Sequence, residues 1–348
     1  MTAAPELLER ARRAALDPPR AHGTPPVTGR LRAAPEDFIV DEELGFAPDG
    51  EGPHFLLRVR KRGANTEFVA RELARHARTR PPEVGFAGLK DRNAVATQWF
   101  TVPRGTLQAQ DWTSLTHPEF EVLEAHAHRR KLRRGALAGN RFRLCIRELG
   151  GERAKLEQRV ATLNAQGVPN YFGEQRFGRD GGNLTRAFDW AASGQEPRAR
   201  GDVGFALSAA RSAIFNAVLA ERVTRGDWRV LLDGDVANLQ GSGSVFAVPG
   251  VDETLRHRAA ELDLHPTGPL WGAGDSMAGG AVRELEREVA DSFQPLASLL
   301  EREGLRAERR SLRLKVEELR ASVEGDTLTL QFRLDPGAFA TTVLRELM

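Results

Sequence analysis

Residues 85–102 read GFAGLKDRNAVATQWFTV, and inside this largely apolar stretch three charges stand together: Lys90, Asp91 and Arg92. Two flanking cations favour the ionised form of a carboxylate, so Asp91 is expected to stay anionic near neutral pH. An anionic carboxylate can attack an anomeric carbon, as in glycosyl chemistry. That chemistry usually sets a second carboxylate about 5–9 Å away. No such partner beside Asp91 is legible here. The run Lys90-Asp91-Arg92-Asn93 also suits a polar hairpin tip, since Asp and Asn are good turn residues. Local chemistry leaves both readings open.

A second stretch with chemical potential is HAHRRKLRRGALAGNRFRLCIR, residues 126–147. It holds Arg129, Arg130, Lys131, Arg133, Arg134, Arg141, Arg143 and Arg147 and no acid. So one-sided a patch fits a phosphate-binding surface, or else a solvated face whose acidic partners come from elsewhere in the fold. A third is VPNYFGEQRFGRDGGN, residues 168–183, with the only tyrosine, Tyr171, beside Phe172, Phe177, Gln175, Arg176 and Arg179. Aromatics interleaved with Arg and Gly suit base stacking and phosphate contact, or a packed aromatic turn at a domain junction. Other motifs are missing: there is no GxxxxGK, HExxH or CxxC. His126 and His128 share a strand face, but no third ligand is identifiable, so no metal is expected. Cys145, alone in FRLCIREL, reads as a small buried hydrophobe.

The elements that must position these residues read as follows. Short strands are expected in TGRLRAAPEDFIVDEELGF and PHFLLRVRKRG, separated by the turn PDGEG. A helix follows over about 66–78, with Asn65 and Thr66 as caps and RPPE as its stop. VGFAGLK and ATQWFTV read as two strands joined by Lys90–Ala94, and EFEVLEAHAH and NRFRLCIREL as further strands. A helix runs to Gly167, and the texture then changes to helices and glycine loops, SAARSAIFNAVLAERVTRG being the clearest helix. Residues 281–308 are helical and charged, and DTLTLQFRL alternates again at period two. Similar ends around a different middle predict an α+β sheet domain interrupted by an inserted domain.

Length and composition set outer limits. A chain of 348 residues with 41% hydrophobic and 28% charged residues predicts a soluble, two-domain protein. A single cysteine gives no internal disulfide, which suits a cytoplasmic protein. No run approaches 18 consecutive apolar residues, so no membrane span is expected. Residues 1–27 carry acids, arginines and prolines without an apolar core, and read as an irregular lead-in rather than a secretory signal.

With these residues on the page, the chain resembles the TruD-type tRNA pseudouridine synthases, which modify uridine 13 of tRNA. The resemblance rests on PEDFIVDEELGFAPDGEGPHFLLRV, FAGLKDRNAVATQWF, HRRKLRRGALAGNRFRL, GVPNYFGEQRFG, LSAARSAIFNAVLAERV and GAFATTVLREL, in that order over about 30–347. It implies a cofactor-free isomerase. Its pseudouridine synthase core would be a mixed or antiparallel sheet with flanking helices, over 28–165 and 311–348, interrupted by a family-specific domain over 166–310. It implies Asp91 as the catalytic aspartate, Phe142 as the aromatic that stacks on uracil, and Asn140 beside it. Glu36, Phe38 and Phe339 fall near the active site by the same matching. Lys90 and Arg92 are expected to border the substrate, and Arg129, Arg130, Lys131, Arg133, Arg134 and Arg176 to contact RNA. The partner implied is tRNA, acted on by a monomer with no obligatory protein partner and no membrane. One departure stands out: many relatives carry threonine where this chain has Ala96. A non-enzymatic RNA binder or a tRNA-folding chaperone would use the same patch without needing Asp91. A base-removing enzyme would use Asp91 but release free uracil.

Overall fold

The structure, a computed structural model, describes residues 3–348. Along the chain come α1 (Ala3–Leu16), β1 (Val27–Leu31), β2 (Phe38–Glu43), β3 (His54–Arg62), α2 (Thr66–His76), β4 (Gly85–Phe86), β5 (Val95–Pro103), α3 (Ala109–Thr113), β6 (Phe120–His128), β7 (Gly139–Gly151) and α4 (Leu156–Gln166). Then follow β8 (Val168–Pro169), α5 (Glu174–Phe177), α6 (Gly182–Ser193), α7 (Arg200–Arg225), β9 (Val236–Leu239), β10 (Val245–Ala247), α8 (Glu253–Ala260) and β11 (Leu264–Leu270). The last are α9 (Gly280–Asp291), α10 (Gln294–Arg302), β12 (Glu308–Ser311), β13 (Arg313–Leu314), β14 (Glu317–Glu324), β15 (Thr327–Leu334) and α11 (Ala340–Leu347).

The chain forms two units. One spans residues 26–161 and 316–338 with Met348; the other gathers 1–25, 162–315 and 339–347. The first is an α+β unit built on a nine-stranded mixed sheet, in the order β14-β15-β7-β2-β5-β3-β6. Its β1 pairs with β7 and its β4 with β5. The β2–β5 pair is parallel and its other pairs are antiparallel. Its strands alternate as their sequences predict: Phe38, Val40 and Glu42 are buried on β2, and Asn140, Phe142, Leu144 and Ile146 on β7. Helix α2 covers one face, packing Val69 and Leu73 against Leu57, Val59 and Phe100. Directly paired residues share a face, so Phe332, Phe142, Val40, Ala96 and Lys61 form one row across five strands.

The second unit is mainly helical. Helices α1, α6, α7 and α10 enclose a core of Ala11, Leu184, Phe188, Ala213, Phe215 and Leu296, beside a four-stranded sheet β10-β9-β11-β12. By length and composition α7 is apolar enough to cross a membrane. Of its apolar residues, Ala209, Ala210, Ala213, Ile214 and Phe215 are fully buried in this core, while Phe205 is exposed.

Several expectations need correction. The expected irregular lead-in contains a helix, α1, within its described residues; Met1 and Thr2 lie outside them. Ala, Leu, Glu and Arg are strong helix formers, and Leu7, Leu8, Ala11 and Ala15 recur at helical spacing on the side packed in the core. Apart from Pro5, in the first turn of α1, the prolines that suggested irregularity begin at Pro18, after the helix ends. The C-terminal helix was expected with the sheet, but α11 packs on β8 in the helical unit. VGFAGLK supplies a strand only at Gly85–Phe86, and residues 87–94 are irregular. Cys145 lies on the less buried face of β7, half-buried, with Sγ 3.9 Å from Thr329 Oγ1.

Ala11 is fully buried. Ala11→Asp places an unpaired carboxylate there and is expected to cost several kcal/mol, read as a fall in the thermal midpoint. An unshifted midpoint would show that α1 is dispensable to the core.

Candidate active site

The loop 87–94 carries Asp91, and three buried polar side chains hold its backbone. Thr66 opens α2, and its hydroxyl accepts the Lys90 N–H at 3.0 Å while donating to Gln98 Oε1 at 3.0 Å. Gln98, on β5, donates from Nε2 to the Gly88 carbonyl at 2.5 Å. Lys61, only 1% exposed, donates from Nζ to the carbonyls of Ala64 and Asp91, both at 2.7 Å, and of Lys90 at 3.5 Å. A buried ammonium needs such acceptors, because desolvation disfavours its charge. Burial pulls the Lys61 pKa down to about 8; Lys90 adds to the fall and Asp91 opposes it. The sequence held a signal for this clamp: in HFLLRVRKR the inward phase runs Phe55, Leu57, Val59, Lys61. A lysine on the apolar phase of a strand announces a buried cation.

The Asp91 carboxylate is about one third exposed, and Arg32 Nη2 donates to its Oδ2 at 2.6 Å. Arg32 was not among the residues expected at this site. It directly follows β1 and adopts a left-handed backbone, φ 58°, uncommon outside glycine. Its guanidinium also lies over the Phe38 ring at 4.3 Å. The flanking cations expected to border the substrate face elsewhere. Lys90 Nζ meets Glu42 Oε2 at 2.5 Å, with side chains only 8% and 0% exposed. Glu42 Oε1 accepts the Trp99 N–H at 3.2 Å. Arg92 Nε donates to the Gly63 carbonyl at 2.9 Å. Sequence adjacency misled because neighbouring side chains on an extended loop point to different sides.

The turn 35–37 joins β1 to β2. Within it Asp37, fully buried, is the anchor: Arg147 donates to both its oxygens at 2.7–3.1 Å. That hydrogen bonding holds the Asp37 carboxyl below its ordinary pKa despite burial. Glu36 is exposed and paired with Arg62 Nε at 2.5 Å. Phe38 meets Phe142 edge-on at 6.1 Å, and Phe332 stacks on Phe142 at 5.3 Å. Phe142 is therefore 7% exposed, with one face already covered by Phe332. Asn140, two residues along the same face of β7, keeps its Oδ1 buried without a partner. Ala96 is fully buried, between Val40 and Lys61 in the row across the sheet.

The remaining expected residues lie apart from this loop or in the other unit. Phe339 and Arg176 belong to the helical unit. Phe339 packs partly buried against its core, and Arg176 Nη1 donates to Ser208 Oγ at 2.9 Å. The aromatics Tyr171, Phe172 and Phe177 are 3%, 6% and 0% exposed, so they serve as core and not as a stacking surface. In the basic run, Arg129 pairs with Glu51, Lys131 donates to the Pro82 carbonyl, and Arg134 lies over Phe86 at 3.9 Å. His126 and His128 pair with Glu124 and Asp49 respectively. Among the described residues, no group of three or more His, Cys, Asp or Glu is placed to hold a metal ion.

Two predictions follow from the buried charges. Lys90→Met strands the Glu42 carboxylate and is expected to cost about 3–5 kcal/mol in urea denaturation. Adding Glu42→Gln should restore much of it, and equal instability in the double variant would refute the coupling. For Lys61, the folded pKa lies below the unfolded value, so between about pH 8 and about pH 10 the unfolded chain binds the extra proton. Stability attributable to Lys61 should rise with pH across that window. The difference in thermal midpoint between wild type and Lys61→Met measures it, and a fall would contradict the burial of this charge.

The family model described as tRNA pseudouridine synthase D (TruD) matches residues 19–185 and 205–347. Named tRNA pseudouridine synthase D proteins from Methylococcus capsulatus and Nitrosococcus oceani are each 47% identical, covering 95% and 94% of this chain and 94% and 92% of their own. One from Xanthomonas campestris is 46% identical, covering 94% of both chains. The crystal structure of a Methanosarcina mazei protein assigned to TruD shares the fold, with a TM-score of 0.71 at 22% identity and 98% coverage of both chains. The sheet unit with its anchored Asp91 loop, and the helical unit beside it in sequence, are those of a chain that belongs to the TruD family of tRNA pseudouridine synthases.

Proposed function

We propose that this protein isomerises uridine to pseudouridine in tRNA, at position 13, with Asp91 as the reacting carboxylate. The observation that supports this most directly is the setting of Asp91: an accessible anion bonded to Arg32, on a loop whose backbone is fixed from below by Lys61, Thr66 and Gln98. A group that must meet a sugar carbon or its neighbouring proton within bonding reach gains from such prior positioning.

The target uridine leaves its stack before a side chain reaches its sugar, at a cost of a few kcal/mol offset by contacts in the site. Asp91 then either attacks the anomeric carbon, displacing uracil as the glycosidic bond breaks, or removes the 2′ proton to leave a glycal. The detached uracil turns, bonds through carbon 5, and loses that carbon's proton. The balance is an isomerisation, and no external oxidant or reductant enters. Arg32 holds the carboxylate in position and offsets its charge. Phe142 and Phe38 offer an apolar wall for the uracil, and Asn140 Oδ1 an acceptor for a ring N–H. Arg129, Arg130, Lys131, Arg133, Arg134 and Arg176 contact the RNA backbone, and Phe339 contacts the substrate. The protein works as a cytoplasmic monomer in this reading.

Asp91→Asn is expected to abolish pseudouridine formation while leaving tRNA affinity within a few-fold. Carbodiimide mapping of tRNA incubated with each protein is the measurement. Near-normal modification by Asp91→Asn would remove Asp91 from the chemistry, and release of free uracil by wild type would identify base removal instead.

A further inference from the structure

The sheet unit contains a second cleft, of about 1340 Å³, lined by the basic run, the first turns of α2, Pro81–Phe86 and Phe46. Its floor is rigid. Leu132, the one apolar residue inside the charged run, is buried, and its N–H donates to Thr101 Oγ1 at 2.8 Å. The Gly135 N–H donates to the Ala87 carbonyl at 2.7 Å. At Gly85 a Cβ would meet the Leu132 carbonyl and Thr101 Oγ1 at 2.5 Å, so only glycine lets the run lie this close to β4. The cations on this strap divide into two sets. Arg129, Lys131 and Arg134 are engaged by Glu51, Pro82 and Phe86, whereas the exposed side chains of Arg130 and Arg133 make no hydrogen bond or close ion pair with the described residues, Arg130 acting on Asp49 only at longer range.

An aromatic platform stands at the same cleft. Phe46 is 41% exposed and stacks on His128 with centroids 5.4 Å apart and planes 13° from parallel. One ring face is thus backed by imidazole. A flat apolar platform beside two cations not committed to the protein matches a nucleotide, with a base to stack and a phosphate to neutralise. The Phe46 end of the cleft, where His128 pairs with His54, is remote from the Asp91 site. His54, which lines it, begins β3, and Lys61 lies seven residues further along that strand, roughly 23 Å at 3.3 Å per residue.

We propose that this cleft is a second RNA site, which takes an unpaired nucleotide of the substrate about 20 Å from the uridine at Asp91. Its base stacks on Phe46 and its phosphate lies between Arg130 and Arg133. The proposal rests on the tRNA reading above and adds an anchoring point remote from the chemistry. Specificity for a folded RNA then draws on two separated contacts, so neither need recognise sequence alone.

The test uses a fluorescein-labelled oligoadenylate, which has no uridine for Asp91 to engage, in anisotropy titrations with the full-length protein. Phe46→Ala is expected to weaken binding tenfold or more, and Phe46→Trp to restore it. Arg130→Ala with Arg133→Ala should lower the slope of log affinity against log salt by about 0.7, the value for one phosphate on a single strand. Unchanged binding by Phe46→Ala would overturn the site, as would equal loss in the Trp and Ala variants. Binding of inorganic polyphosphate as tight as that of oligoadenylate would reduce the cleft to a general anion surface and also overturn it. Pseudouridine formation by wild type is scored separately: its absence sinks the tRNA reading, whereas its presence with Phe46-independent oligoadenylate binding sinks only this proposal.

Discussion

One buried ammonium organises the sheet unit's reactive end. Lys61 reaches from β3 to the carbonyls of Ala64, Lys90 and Asp91, tying a strand, the approach to α2 and the irregular loop together at one atom. The arrangement is costly, since a charge is held where water does not reach, and its lowered pKa records that cost. What the clamp supplies is a loop without regular secondary structure that nevertheless has fixed backbone positions. The Asp91 side chain then takes its direction from contact with Arg32.

Around that clamp, opposite charges are sorted by depth. Lys90 and Glu42 neutralise each other below the loop, while Asp91 and Arg32 meet at its accessible edge. The separation keeps the deep pair from competing for the carboxylate at the surface. The row Phe332, Phe142, Val40, Ala96 and Lys61 has a matching gradient, from large aromatic rings to a single methyl beside the lysine. Ala96 gives the Lys61 stem space, and a threonine hydroxyl in its place would fall next to that stem. Such an exchange would change the surroundings of the clamp, not the face that Thr97 occupies.

Much of this was legible in the residues, for identifiable reasons. Period-two alternation placed β2, β7 and β15, and a change of texture near residue 166 marked where the helical segment begins. Asp91 stood out because charge is rare inside an apolar run. Its true partner did not, because Arg32 is 59 residues away and only the pairing of β1 and β2 around β7 brings its segment to the site. Proximity in sequence pointed instead to Lys90 and Arg92, which the loop directs to other acceptors, Lys90 inward to Glu42 and Arg92 to the Gly63 carbonyl. The aromatics near Tyr171 misled in the opposite sense: their composition suits nucleic acid, but burial decides, and the core holds them. The lead-in helix was hidden by prolines that follow it.

The parallel pairing of β2 with β5 has a kinetic meaning. Glu42 lies on β2, its acceptor contact to Trp99 on β5, and its ion-pair partner on the loop that precedes β5. A parallel pair joined through more than fifty intervening residues is a non-local contact and forms slowly. Until it closes, Lys90 has no counter-charge and the loop no floor. The order of the Asp91 loop is thereby tied to completion of the sheet: a nascent or partly opened chain holds the same residues but lacks the floor that fixes them.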